Sequence, residues 1–286
     1  MSTFEIIGRI AGLVSTITLL LSFYLPLQGK AQEPEFIDRP TAPSHWTYGR
    51  RLDEAQLRYC VDSRDPDWEI AAEIADTIAS GLLLEPIRHV VESEMVLEDI
   101  TKVYEIMLKH CDMHMGFKLI AEGYSDWATL TRSYYKSEYV FVTLDPELDS
   151  LEDLDSSRPI GATMGTMAHL RLVSYLQALP REDRWPTFPM SSNELALNSL
   201  VKGTIDVALI WAPNLWAKQR KDSAFPNVRI LKPSPLPSTS LGVGGLMLSN
   251  QIFLRTAVDE AISALTADGT IPAILQKNRF PASAEP

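Results

Sequence analysis

The chain has 286 residues, of which 45% are hydrophobic and 22% are charged. This ordinary globular composition leaves room for one large domain or two of medium size, and it excludes a disordered, collagen-like or disulfide-dense chain. The formal net charge is −11. Because an acidic protein does not attract phosphate backbones, we expect no nucleic-acid partner.

An apolar N-terminal segment predicts export. Residues 10–28 carry no charge, Arg9 precedes them, and Gly29 and Ala31 are small residues of the kind a signal peptidase recognises. We therefore predict a cleaved signal peptide at 1–31, a proline-rich leader at 32–54 and a periplasmic location. A retained N-terminal membrane anchor is the alternative, because the uncharged run is about long enough to span a bilayer.

The spacing of apolar residues in the next part of the chain predicts the order strand, helix, strand, helix, strand. The predicted strands are 57–61, 87–91 and 111–115, and the predicted helices are 66–82 and 100–108. This order is typical of a parallel sheet with crossover helices. Alternation along the third strand would place Cys111, Met113 and Met115 on one face and His114 on the other.

A second run of the same kind follows the strong strand pattern at 139–142. Its predicted strands are 160–162, 205–211, 228–231 and 246–248, and its predicted helices are 170–179, 193–201, 252–266 and 271–277. We therefore predict two α/β lobes, the first formed by 55–143 and 239–286 and the second by 144–238. Two crossings make a hinge, and a ligand would bind in the cleft that the hinge closes.

Five segments, in this order along the chain, resemble the extracellular solute-binding proteins of family 3. These segments are 57–62, 111–116, 134–142, 200–208 and 268–274. That family includes the amino-acid receptors of ABC importers. The resemblance covers about residues 55–280 and implies a type II periplasmic-binding-protein fold, with two α/β lobes and a double-crossover hinge.

A narrower resemblance lies in residues 130–142, which are similar to the MoxJ/XoxJ-type subgroup encoded beside PQQ-dependent methanol dehydrogenases. Amino-acid receptors keep an arginine for the ligand carboxylate shortly before the tyrosine pair Tyr134-Tyr135, and Tyr124 stands at that place here. The loop after the first strand also lacks the family's usual insertion. Both departures disfavour binding of free amino acids, and the missing arginine is shared with the narrower subgroup.

The two cysteines, Cys60 and Cys111, lie on the predicted first and third strands. These strands can be neighbours in a sheet ordered 2-1-3, and an exported protein folds in an oxidising compartment. We therefore predict a disulfide, with the two α-carbons within about 7 Å of each other. The narrower subgroup also tends to carry a cysteine pair in these two strands.

The candidate ligand site consists of residues at strand ends that face the cleft in the family. These residues are Ser63, Arg64, Trp68, Tyr124, Arg132, Tyr134, Gly165, Thr166 and Trp211. Gly165-Thr166 precedes a predicted helix, whose free N–H groups can hold an anion, although the same turn is an ordinary helix cap. Arg132 is either the cation that replaces the missing arginine or half of a surface salt bridge.

Signals for catalysis and metal binding are weak. No Gly-x-Ser-x-Gly, His-Glu-x-x-His or P-loop pattern occurs. Residues 110–115 include histidine and cysteine but read as a core strand, and the acidic run 145–155 lacks the central glycine of an EF-hand. We therefore predict a non-enzymatic protein without metal or cofactor.

Two functions are compatible with the sequence. The first is an accessory role to an exported PQQ-dependent alcohol dehydrogenase, of the methanol-oxidising kind. The alternative is a receptor that binds a small polar or anionic solute and delivers it to an ABC permease. The short first loop and the missing arginine favour the first function, whereas the Gly165-Thr166 turn favours the second.

Overall fold

A computed structural model describes residues 55–92, 100–120 and 123–284. The predicted signal peptide at 1–31 and the predicted leader at 32–54 lie outside the described residues. Within the described ranges, every helix is too short or too polar to cross a membrane.

The first half of the fold is a parallel sheet with two crossover helices. Its elements are β1 (Gln56–Asp62), α1 (Trp68–Gly81), β2 (Glu85–Val91), α2 (Ile100–Lys109) and β3 (Met113–Lys118). In α1 the buried residues Ile70, Ile74 and Ile78 recur every four positions and form the stripe that packs on the sheet. β1 lies between β2 and β3 and is parallel to both, which is the predicted order 2-1-3.

The second half repeats this arrangement after two connecting strands. Its elements are β4 (Ala128–Leu130), β5 (Tyr135–Thr143), β6 (Ile160–Thr163), α3 (Met167–Ala178), β7 (Thr187–Met190), α4 (Asn193–Val201), β8 (Val207–Trp211) and α5 (Ala212–Lys221). β6 pairs in parallel with both β7 and β8. The last elements are β9 (Arg229–Leu231), β10 (Thr239–Leu248), α6 (Ile252–Ala267) and α7 (Thr270–Lys277).

Within the described residues the strands join in one curled sheet of order β2-β1-β3-β10-β5-β8-β6-β7, with β4 paired to β10 and β9 paired to β5. β5 runs antiparallel to β10 on one side and to β8 on the other. Tyr139 is the residue where β5 changes partner, because it pairs with both Thr239 and Trp211. The predicted α/β fold class is confirmed, and the residue boundaries of the two lobes stay a prediction.

Helices cover both faces of the sheet and bury three apolar clusters. The largest cluster lies under α1, α3, α6 and α7 and extends through both halves. A second cluster packs α4 and α5 against the other face of the second half. The third cluster lies under α2 and contains both cysteines.

The structure contains the predicted disulfide between Cys60 and Cys111, whose α-carbons are 5.6 Å apart. The predicted alternation of the third strand is wrong at its first residue. Cys111 packs with Val103 and Met107 in the cluster under α2, whereas Met113 and Met115 lie in the largest cluster. The reason is local: α2 continues its hydrogen bonding as far as His110, so the extended strand begins only at Met113.

The sequence patterns missed three elements and ended or began three strands, β3, β5 and β10, several residues too early or too late. β4 and β7 were not predicted, and β7 contains Pro189, which is tolerated because β7 is the last strand at the edge of the sheet. Helix α5 was also missed, although Pro213 lies in its first turn, where proline is favoured. β3 continues through Gly116 to Lys118, and this extension brings a charged residue to the end of the strand.

We expect the double substitution Cys60→Ala, Cys111→Ala to lower the free energy of unfolding by about 2–4 kcal/mol, because an unfolded chain without the cross-link gains conformational entropy. The cysteines are 51 positions apart, so the loop that the disulfide closes is long. Urea unfolding of the oxidised protein, the reduced protein and the double variant checks this.

The reduced protein is the matched control, because it keeps the volume of both buried sulfur atoms and loses only the cross-link. An identical urea midpoint for the oxidised and reduced proteins would contradict the prediction.

Candidate ligand-binding cleft

The carboxyl ends of the parallel strands define the candidate cleft. In open α/β sheets ligands bind outside the carboxyl ends of the strands. In the first half these ends are Asp62 of β1 and Lys118 of β3, and in the second half they are Thr163 of β6 and Trp211 of β8. Four of the nine predicted site residues follow one of these ends within three residues, and Trp211 is itself such an end.

Ser63 and Arg64, which follow β1, form hydrogen bonds with neighbouring residues of the first half. Arg64 Nε donates to Asp62 Oδ1 at 2.9 Å, and its Nη2 pairs with the other carboxylate oxygen. Burial by itself would raise the pKa of Asp62, but the hydrogen bonds and charge of Arg64 outweigh it and lower that pKa. Ser63 Oγ donates to the carbonyl of Val91 at 3.3 Å. Ser63 and Arg64, both predicted to bind a ligand, therefore contact the ends of β1 and β2 instead.

The buried tyrosine pair Tyr134-Tyr135 contacts the first half, and Tyr135 reaches the N-terminal end of α1. Tyr135 donates its hydroxyl to Asp67 Oδ2 at 2.6 Å, and the Tyr134 hydroxyl accepts from the backbone N–H of Gly116 at 2.9 Å. Gly116 has φ +94°, and a Cβ there would lie 2.7 Å from a carboxylate oxygen of Asp65, so only glycine fits. Burial raises the pKa of both tyrosines. The hydroxyl of Tyr134, a residue predicted to bind a ligand, is thus bonded to the backbone of β3.

Burial also raises the pKa of Asp67, although the hydrogen bond from Tyr135 and the charge of Lys118 act in the opposite direction. Asp67 precedes α1 and is 5% exposed. The predicted residue Trp68, which begins α1, is partly buried and packs against the largest apolar cluster. At the N-terminus of α1, Trp68 is therefore packed against the core, and Asp67 is hydrogen-bonded to Tyr135 within the first half.

A lysine and two aromatic rings meet across the two halves of the sheet. Lys118 Nζ lies 4.8 Å from the ring centroid of Trp211 and 5.5 Å from that of Tyr139. These two rings are 4.9 Å apart, centroid to centroid. Both distances from the ammonium are within the range of a cation–π interaction. The predicted residue Trp211 therefore contacts a cation that comes from the opposite half.

Tyr124 contacts the backbone of Lys118 and does not replace the charge of the missing arginine. Its hydroxyl donates to the backbone carbonyl of Lys118 at 2.7 Å, and its ring packs at 5.8 Å against that of Phe117. Tyr124 therefore fixes the backbone at the end of β3.

Of the remaining predicted residues, Arg132 lies beside α6, whereas Gly165 and Thr166 follow the end of β6. The backbone N–H of Arg132 donates to Asp259 Oδ1 of α6 at 2.6 Å, and Arg132 lines a surface concavity together with Arg255 and Glu260. Thr166 caps α3, because its hydroxyl accepts from the N–H of His169 at 3.1 Å. Gly165, at φ +78°, has no atom within 4 Å of the position of a Cβ.

The structure thus brings Tyr124 and Trp211 together around Lys118, and it places Ser63, Arg64, Trp68 and Tyr134 in the packing of the first half. Arg132 is on the side of α6. Lys118, Tyr139 and Asp67 were not among the site residues predicted from the sequence. The signal for Lys118 was the length of β3, since an alternating strand that continues two residues past Gly116 ends on this lysine. Within the described residues, three or more histidine, cysteine or acidic side chains do not gather as they would around a metal ion.

Comparisons with known proteins place this fold. No protein-family model matches the sequence, and no curated protein matches it either. Among solved structures, MxaJ from Methlophaga aminisulfidivorans MPT is similar with 18% identity and a TM-score of 0.55, over 80% of this chain and 100% of that chain.

Two further solved structures are similar over most of their length. An amino acid ABC transporter substrate-binding protein from Streptococcus pneumoniae Canada MDR_19A, bound to L-arginine, has 17% identity and a TM-score of 0.56 over 82% of this chain and 98% of that chain. The GluR0 ligand-binding core from Nostoc punctiforme, in complex with L-glutamate, has 16% identity and a TM-score of 0.53 over 79% and 100%.

The fold is therefore that of the periplasmic binding proteins, a two-lobe α/β fold, as the sequence resemblance predicts. The similar structures include an amino acid ABC transporter substrate-binding protein, which fits the resemblance to family 3, and MxaJ, which fits the narrower resemblance in residues 130–142.

We expect Asp67→Asn to gain stability relative to the wild type as pH rises from 4 to 7. Burial raises the folded-state pKa of Asp67 above its ordinary value of 3.8, so the folded state binds the proton more tightly than the unfolded state. Wild-type stability is therefore lost as pH rises from about that value through the folded pKa. Asparagine does not ionise, and its amide oxygen still accepts from Tyr135.

Urea unfolding of both proteins at several pH values measures this effect. Asp183→Asn, at an exposed carboxylate, is the matched control and is expected to follow the wild-type pH dependence. Parallel curves for Asp67→Asn and the wild type would contradict the prediction.

Proposed function

We propose that this chain is an exported, non-enzymatic protein of the periplasmic-binding type that serves as an accessory to a PQQ-dependent alcohol dehydrogenase, of the methanol-oxidising kind. The observation that carries the proposal is Tyr124. It stands at the place of the family's carboxylate-binding arginine, and its neutral hydroxyl is used to hold the backbone of Lys118.

The arginines predicted near the cleft do not compensate for this loss. Arg64 forms a forked pair with Asp62. Arg132 lies beside α6, where its backbone bonds to Asp259. A carboxylate that enters a closing cleft loses water, and an arginine normally repays this with two parallel hydrogen bonds. The positions of these two arginines therefore support a function other than binding free amino acids.

The partner and the compartment in this proposal come from resemblance. Residues 130–142 are similar to the MoxJ/XoxJ-type subgroup, and MxaJ is among the similar solved structures. The similar structures include periplasmic binding proteins, which supports a periplasmic location reached through the predicted signal peptide.

A receptor of an ABC importer for a small polar or anionic solute is the second candidate function. The turn at Gly165 favours it, because no atom lies within 4 Å of the position of a Cβ there and the N-terminus of α3, of a kind that can hold an anion, follows directly. In this case the cleft closes on the solute and a permease is the partner.

The accessory role predicts a physical complex. The purified protein and the PQQ-dependent alcohol dehydrogenase of the same organism are expected to co-elute in size-exclusion chromatography, and deletion of the gene is expected to reduce PQQ-dependent alcohol oxidation in periplasmic extracts. Separate elution together with unchanged oxidation would contradict the accessory role. A defect in the uptake of one solute by the same deletion strain would instead favour the receptor function.

We also expect that none of the twenty free α-amino acids binds with a micromolar dissociation constant. The α-carboxylate lacks its bidentate partner, and a charge-assisted pair is about twice as strong as a neutral hydrogen bond from a tyrosine. Isothermal titration calorimetry on the full-length protein checks this.

Thr166→Ala tests any binding that calorimetry detects, with Thr256→Ala on α6 as the matched control. Micromolar affinity for one amino acid that is lost in Thr166→Ala and kept in Thr256→Ala would return the protein to the transport class.

A further inference from the structure

Lys118 is a charged side chain at the carboxyl end of β3, beside the candidate cleft, and its ammonium donates to no acceptor among the described residues. Its ammonium is stacked over Trp211 and Tyr139, at 4.8 Å and 5.5 Å from the ring centroids. Among the described residues it forms neither a hydrogen bond nor an ion pair. Ring faces balance part of its charge but accept no conventional hydrogen bond, so its three N–H donors stay available to an acceptor that enters the cleft.

The backbone of Lys118 and one of its ring partners are held in place. The Tyr124 hydroxyl donates to the carbonyl of Lys118, and the backbone of Lys118 pairs with Val243 of β10. The backbone N–H of Trp211 donates to Asn193 Oδ1 at 3.1 Å, and this residue is 3% exposed. The ring contacts limit where the ammonium lies, so less of its freedom is left to lose when it binds an anion.

Two acids at the carboxyl ends of the first-half strands are already engaged. Asp67 accepts from the hydroxyl of Tyr135, and burial raises its pKa although the charge of Lys118 acts in the opposite direction. Asp62 is paired with Arg64. Neither acid forms an ion pair with Lys118, so no contacting acid among the described residues cancels its positive charge.

We propose that Lys118 is an anion-binding residue of the cleft and that its ligand class is small monocarboxylates without an α-ammonium group. The proposal rests on the cleft of the periplasmic-binding fold and not on the dehydrogenase role, so each can fail without the other.

Charge selects the monocarboxylate. One ammonium neutralises one negative charge, whereas a dianion would keep a second charge in a protein of net charge −11. An α-amino acid would also bring an ammonium that needs an acceptor, and Asp62 and Asp67 already accept from Arg64 and Tyr135. Lysine offers a point charge rather than a planar fork, so it has no built-in preference for the bidentate geometry of amino-acid receptors.

The matched ligands propionate and L-alanine test the proposal, because they differ only by the α-ammonium group. We expect calorimetry on the full-length protein, at constant ionic strength in chloride, to show propionate binding at least about ten-fold more tightly than L-alanine and sulfate. Absence of propionate binding, or tighter binding of sulfate or L-alanine, would overturn the assignment.

Lys118→Met keeps the length and apolar stem of the side chain and removes the charge. It is expected to weaken propionate binding at least about ten-fold, whereas Lys118→Arg keeps the charge and is expected to retain binding. Lys202→Met, at an exposed lysine just after α4, is the matched control and is expected to bind like the wild type.

Equal propionate affinity in Lys118→Met and the wild type would overturn the proposal, and so would equal loss in Lys118→Met and Lys118→Arg, since the charge would then not be the cause. Co-elution of the protein with the dehydrogenase is measured separately on Lys118→Met, so a failed complex is distinguished from a failed ligand site.

Discussion

The backbone pairing of Tyr139 holds the two halves of this fold in one sheet. Tyr139 pairs with Thr239 of β10 on one side and with Trp211 of β8 on the other. Because side chains alternate along a strand, this register also decides which residues share the face on which the Tyr139 ring lies. The ring of Trp211 is therefore beside that of Tyr139, and the end of β3 is the element of the first half that reaches both. A slip of one residue in β5 would turn Tyr139 to the opposite face and separate the rings from the lysine.

Polar groups near the cleft are mostly satisfied within the first half. A buried carboxylate without partners is expensive, and here each buried acid of the cleft edge has a donor: Arg64 for Asp62 and Tyr135 for Asp67. The Tyr135 ring packs in turn against Phe280, which contacts Trp216 of the second half. The hydrogen-bonded edge of the first half is therefore continuous with the aromatic packing that joins the halves.

Local patterns predicted most of the framework because burial and periodicity act over a few residues. The isoleucine stripe of α1 and the order 2-1-3 followed from apolar spacing and from crossover rules, and so did the disulfide between neighbouring strands. Helix α5 was missed because its sequence is largely polar and its start lies directly after Trp211, where the strand pattern still dominates. The face of Cys111 was wrong because the length of α2 sets where β3 begins, and helix ends are decided by hydrogen bonds that a spacing rule does not count.

The candidate site was harder to predict, since its residues meet through tertiary register. Tyr124 was singled out by its place in the sequence, but its role, holding the carbonyl of Lys118, depends on a contact across a bend. Lys118 itself gave no motif, because a single lysine after a strand is indistinguishable from a surface charge until the opposite half supplies Trp211. Arg132 shows the opposite case. It is close to the tyrosine pair in sequence, but in the structure it lies beside α6 and not beside Trp211.

The two edges of the candidate cleft are held in place by different kinds of group. On the first half, side chains fix the strand ends, through the Asp67–Tyr135 bond and the Tyr124–Lys118 bond. On the second half, the turn before α3 is held mainly through its backbone. The N–H of Met164 donates to the carbonyl of Met190, and the Thr166 hydroxyl donates to the carbonyl of Thr163, both at 2.9 Å. Groups that are positioned before a ligand arrives cost little to order when it binds. The difference between the edges therefore lies in charge, because the first half brings the ammonium of Lys118 and the turn before α3 brings backbone groups.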